Sequence, residues 1–208
     1  MSRLVGVPYE IIRPQLLIGS EAFLIQPECD DCRYYGKQRY ESNRARQTRN
    51  AIISRGGTTR TVTIDAAADI EIDQEACAAE VAFCKLLNIY PFELFKIEPR
   101  SSRAGQDAGD AYLYQARFSI DIKHTSYESG QLLAVPWKDE QAVDCYVLMI
   151  GTMPRFRFAG AMLASELFKE HRLTDLGKGP TYAALQAELT ELHKLPLGGR
   201  HYRGEAWS

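Results

Sequence analysis

The run Val143-Asp-Cys-Tyr-Val-Leu-Met-Ile150 constrains this chain more than any other stretch. It is apolar at nearly every position and closes on Gly151, whereas a strand with one wet face would alternate. Such a segment belongs in the centre of a mixed sheet with material packed on both faces. Shortly after it, Arg155-Phe-Arg-Phe158 does alternate, which predicts both phenylalanines inward and both arginines outward.

Upstream lies Gly109-Asp-Ala-Tyr-Leu-Tyr-Gln-Ala-Arg-Phe-Ser-Ile-Asp-Ile-Lys-His-Thr125. Strand alternation gives Ser119, Asp121 and Lys123 one face, and Phe118, Ile120 and Ile122 the other, so an apolar face anchors a charged one. If the chain folds back near Gln115-Ala116, Asp110 and Asp121 become cross-strand neighbours able to share a divalent cation. Gln-Ala is a poor pair for a tight turn, so a longer loop or a shifted register stays open. Among all the lysines, Lys123 alone has an acidic residue two positions before it. The plainer reading is a strand edge whose Asp121 and Lys123 only keep an outer face wet.

Helical patterning is strongest from Asp73 to Asn88, where Asp73 can cap and Ala76, Ala79, Phe83 and Leu86 recur at helical spacing. Glu80 lies beside that stripe, so its carboxylate needs a cation or metal-bound water unless it is simply solvated. Further helices are expected over Lys37–Ser54, Ala161–His171 and Thr181–Leu195, with an extended piece from Thr58 to Ile64. Pro8, Pro14 and Pro27 make residues 1–32 read as irregular. The division that follows is an N-terminal accessory segment with a basic helix over 1–70 and a core over 71–208.

With 208 residues the chain can bury a substantial core. No apolar run is long enough to span a bilayer and the start lacks a secretion pattern, so a cytoplasmic protein is expected. Five scattered cysteines argue for reduced thiols, and Cys29-x-x-Cys32 lacks the second pair a structural zinc site needs. The formal net charge is only −2, but Arg33, Lys37, Arg39, Arg44, Arg46, Arg49, Arg55 and Arg60 cluster against the single acid Glu41. That is either a phosphate-binding face, with Tyr34, Tyr35 and Tyr40 interleaved, or a solvated helix face.

The order of a helix bearing Glu80, a strand opening at Asp110, the Asp121-Ile-Lys123 strand, a buried strand and a helix resembles the PD-(D/E)XK nuclease superfamily. Within it, Ala78–Pro91, Ile120–Thr125 and Asp144–Gly151 are similar to uncharacterised phage and bacterial members. The likeness spans roughly residues 73–172 and implies an α/β, restriction-endonuclease-like three-layer core: a central mixed β-sheet flanked by helices. By that likeness Glu80, Asp110, Asp121 and Lys123 are the catalytic set, the three acids binding Mg²⁺ or Mn²⁺. The implied function is a metal-dependent nuclease, an endonuclease acting on DNA ahead of RNA, in a bacterial or phage-infected cell. A homodimer is expected by likeness only. Lys37, Arg39, Arg44, Arg46, Arg100 and Arg103 are the candidate nucleic-acid contacts, and Tyr127 is a candidate phosphate or base contact. Gly109 stands where the motif has proline, and Asp107 competes with Asp110 for the first-acid role. The alternative is a catalytically silent nuclease-fold protein that binds DNA or a host or phage protein.

Overall fold

A computed structural model describes residues 15–44, 50–55, 58–63, 66–89, 91, 109–113, 118–136, 143–177 and 179–196. Its main sheet has five strands in the order β1-β8-β7-β5-β4: β1 (Glu21–Phe23), β4 (Ala111–Leu113), β5 (Phe118–Thr125), β7 (Cys145–Thr152) and β8 (Arg155–Leu163). β5 and β7 run parallel and the other pairs antiparallel, so the sheet is mixed. β7 is buried along most of its length, as its apolar run requires. Its Cys145, Val147 and Met149 enter one core cluster, while Tyr146, Leu148 and Ile150 enter a second on the opposite face.

The first face is covered by two packed helices, α1 (Gln26–Arg44) and α2 (Ala66–Leu86). α1 begins before the expected Lys37 and ends ten residues short of Ser54; residues 50–55 instead form β2 (Asn50–Arg55), paired with β3 (Thr58–Thr63). Pro27 is tolerated because it sits in the first turn, where its missing N–H costs no helical bond. Ile25 N donates to Glu28 Oε2 at 2.7 Å, closing one half of a capping box. α2 starts seven residues ahead of Asp73. It ends with Asn88 in the left-handed region at φ 51°, Ile89 N donating to Cys84 O and Asn88 N to Lys85 O. Cys77, Ala78, Ala79 and Ala82 are small enough to bring this helix close to the sheet and to α1. The segment expected to be accessory therefore contributes β1, α1 and the buried Leu16, Ala22, Leu24, Cys29 and Cys32 to the first cluster.

A small sheet in the order β6-β10-β9 covers the second face: β6 (Leu132–Ala134), β9 (Leu173–Asp175) and β10 (Pro180–Ala184). The one-turn helix α3 (Ala164–Leu167) adds Ala164 and Leu167 to the same cluster. Two expected helices are corrected here. Ala161–Leu163 completes β8, followed only by α3 and a 3₁₀ turn at Glu170–Arg172. Ala161 exchanges backbone hydrogen bonds with Thr190 (2.8 and 3.0 Å), a pairing that overrides the local helical propensity. Thr181–Ala184 is strand, with Pro180 at its first position, and 3₁₀ turns follow at Gln186–Glu188 and Leu192–Lys194. Among the described residues no helix is long and apolar enough to cross a membrane.

Candidate functional site

The hairpin predicted from the Asp110–Asp121 segment forms with Ala111 opposite Ile120, Tyr112 opposite Ser119 and Leu113 opposite Phe118. That frame sets Asp110 across from Asp121. Asp110 N donates to Ile120 O at 2.8 Å, and Ile122 N donates to Asp110 Oδ2 at 2.7 Å, so the carboxylate is pinned at the mouth of the hairpin. Gly109 suits this corner where a proline would not. Its φ of +86° lies outside proline's range, and a Cβ there would stand 2.8 Å from Ile120 O. The turn residues 114–117 and Asp107 lie outside the described residues.

Asp121 is 2% exposed and carries an ion pair to Lys123, whose ammonium also lies 5.6 Å from the centre of the Tyr146 ring. Both side chains stand on the second face, above Tyr146, which is Asp121's register partner on β7. Phe118, Ile120 and Ile122 enter the first cluster as alternation required. Ser119 does not reach the charged cluster. Its N and Oγ donate to Asp144 Oδ2 at 2.8 and 2.9 Å, tying the start of β5 to the start of β7. His124 Nε2 lies 2.8 Å from Gly151 O, a positioning contact on the opposite face from Lys123.

Glu80 is buried on α2, and its two oxygens accept from Arg39 Nη1 and Nη2 at 2.6 and 2.8 Å. The cation that a buried glutamate required is thus an arginine of α1. Burial disfavours the Arg39 charge, but the Glu80 carboxylate overcomes this and holds the proton above the usual arginine range. Gly36 makes the encounter possible, since a Cβ there would lie 2.5 Å from Gln74 Cα of α2. Arg39 is therefore engaged inside the protein, and Lys37 stands 3.8 Å from Glu41. The Arg44 side chain, Arg46, Arg100 and Arg103 lie outside the described residues.

Burial pushes the Asp110 carboxyl well above the usual carboxylate range, and the charges of Glu80 and Asp121 push it further, against the opposing pull of Lys123 and the Ile122 N–H. Asp110 thus feels the charges of Glu80 on α2 and of Asp121 and Lys123 on β5. Among the described residues, however, no three Asp, Glu, His or Cys side chains stand close enough together to hold a metal ion. The residues that sequence reasoning missed are Asp144, Gly36 and the Glu80-binding role of Arg39. The only signal for Arg39 was the need of Glu80 for a cation.

No curated protein and no solved structure matches the chain. Residues 14–168 match the model of a family described as one of unknown function, DUF5843, and this stretch includes α1, α2 and α3, all five strands of the main sheet and every charged residue of the cluster. The chain is a member of that family.

Proposed function

We propose that the protein is a metal-dependent phosphodiesterase acting on DNA, built on a restriction-endonuclease-like core. The observation that carries the reading is the convergence of Asp110, Asp121 and Lys123 at the mouth of one hairpin, with Asp110 also within electrostatic reach of Glu80. The donors are all carboxylate oxygens, the set suited to Mg²⁺ or Mn²⁺, and crowding that raises Asp110 is what a divalent cation would relieve. Asp110 and Asp121 would hold the ion, and Glu80, engaged by Arg39, would add negative charge near Asp110. When bound, such an ion supplies an activated water and neutralises charge on the phosphate. Lys123 orients the attacking water or offsets charge developing on the phosphoryl oxygens. Arg39 fixes the direction of the Glu80 carboxylate. DNA is favoured by the resemblance and by the basic stretch 33–60.

The test is Mg²⁺- or Mn²⁺-dependent cleavage of plasmid and single-stranded DNA. The parent is expected to cut, and folded Asp121→Ala and Lys123→Ala proteins to lose cutting by at least about a hundredfold. Cleavage absent with either metal defeats the reading. A specific observation favours the silent alternative: Arg39 occupies both oxygens of Glu80. In that case DNA binding is salt-sensitive, indifferent to EDTA and unchanged in Asp110→Ala.

A further inference from the structure

A cavity of about 380 Å³ opens beside Lys123 and is lined by Thr125, Tyr127, Gln131, Leu133 and Leu176 among others. Its volume falls within the roughly 300–1,000 Å³ typical of small-molecule sites. The rim carrying Tyr127 is braced from several sides. Thr125 Oγ1 accepts from Tyr127 N at 3.2 Å, and Gly130 N donates to Tyr127 O at 2.9 Å. Gln186 Nε2 donates to Glu128 O and Gly130 O at 2.7 and 2.8 Å, and Arg157 Nη2 donates to Glu128 Oε2 at 2.8 Å. Gly130 packs so closely on Thr125 that a Cβ would lie 2.3 Å from Thr125 Cγ2. Held on this fixed loop, Tyr127 is nonetheless 75% exposed.

We propose that this cavity receives one unstacked nucleobase of a single-stranded stretch. The base stacks on Tyr127 between the apolar walls of Leu133 and Leu176, while its backbone phosphate faces Lys123. The substrate class rests on the phosphodiesterase reading above. The geometry supplies the two groups such a ligand needs, a flat aromatic surface and a cation in the lining of the same cavity. Pre-organisation of the loop means that little ordering is needed on binding.

The experiment measures binding of a labelled oligothymidylate, and of an abasic strand of the same length, by fluorescence anisotropy in EDTA. The parent is expected to prefer the base-bearing strand by roughly 5- to 150-fold, the range of one base–aromatic stack. Tyr127→Ala should bind both strands alike, and Tyr127→Phe should keep the preference. Equal binding of the two strands by the parent, binding of neither, or an undiminished preference in Tyr127→Ala overturns the proposal. With metal withheld the outcome is independent of cleavage. A protein that cuts DNA yet shows no base preference loses this subsite alone. One that prefers bases yet cuts nothing loses the phosphodiesterase and keeps the binding site.

Discussion

Arg39 on α1 grips both carboxylate oxygens of Glu80 on α2 across 41 residues of sequence. The contact joins two helices as well as two charges. Arg39→Ala leaves a buried carboxylate uncompensated and should cost about 3 kcal/mol, the lower end of the range for a broken buried pair because Arg39 is 27% exposed. The double variant Arg39→Met/Glu80→Leu should recover most of that loss. Urea unfolding of the three proteins checks both statements, and a double variant no better than the single would count against them.

Asp110 illustrates the opposite case, a charge whose presence weakens the fold. Its folded-state proton affinity is raised by burial, Glu80 and Asp121. The stability it contributes is complete below the ordinary carboxylate range and declines as pH rises through the raised value. Asp110→Asn keeps an oxygen for Ile122 N but removes the charge. It should be about 1 kcal/mol more stable than the parent at neutral pH, with the advantage fading on acidification, and should abolish the proposed cleavage. Thermal unfolding at several pH values gives the comparison.

Gly109 tolerates no side chain. Gly109→Ala must adopt a left-handed φ and push on Ile120 O, a combined cost of about 1–3 kcal/mol. The strain falls where Asp110 is set, so cleavage should fall more steeply than stability; a variant as active and as stable as the parent would refute this account.

Gly36→Ala should separate α1 from α2, with a loss of about 1–3 kcal/mol from overpacking against Gln74 backbone. A cycle with Arg39→Ala should show strong coupling, because both changes act on the same crossing.

All five cysteines are free and buried. Burial pushes the thiols of Cys32 and Cys84 up to about 12, and that of Cys145 well above its usual value. Ellman's reagent at pH 8 should find almost no fast-reacting thiol in the folded protein and five after denaturation. Prompt reaction of Cys32, Cys84 or Cys145 would contradict their placement.

The parts of the fold legible in the sequence are those whose pattern has one physical solution. The nearly unbroken apolar run to Ile150 pointed to a strand covered on both faces, and the alternation around Asp121 divided Ile120 and Ile122 from Lys123. The hairpin that pairs the Asp110 end with Asp121 is one of the arrangements the same periodicity allowed, a longer loop or shifted register having stayed open. Illegible parts were decided by partners distant in the chain. Ala161–Leu163 and Thr181–Ala184 have residues content in a helix, but Thr190 and β6 claimed their backbones. Pro27 read as a breaker because its place in a first turn depends on where the helix begins. At the candidate site, Glu80 advertised a need for a counter-charge, while the choice of Arg39 among many arginines depended on a helix crossing that no local spacing encodes.

The parallel pairing of β5 with β7 has a bearing on how the protein comes into being. A hairpin between β4 and β5 can close locally, but the strand bearing Asp121 gains its second neighbour only after residues 126–144 have crossed over. On the ribosome, then, Asp121 keeps one side open to water until the segment that begins at Cys145 has been synthesised.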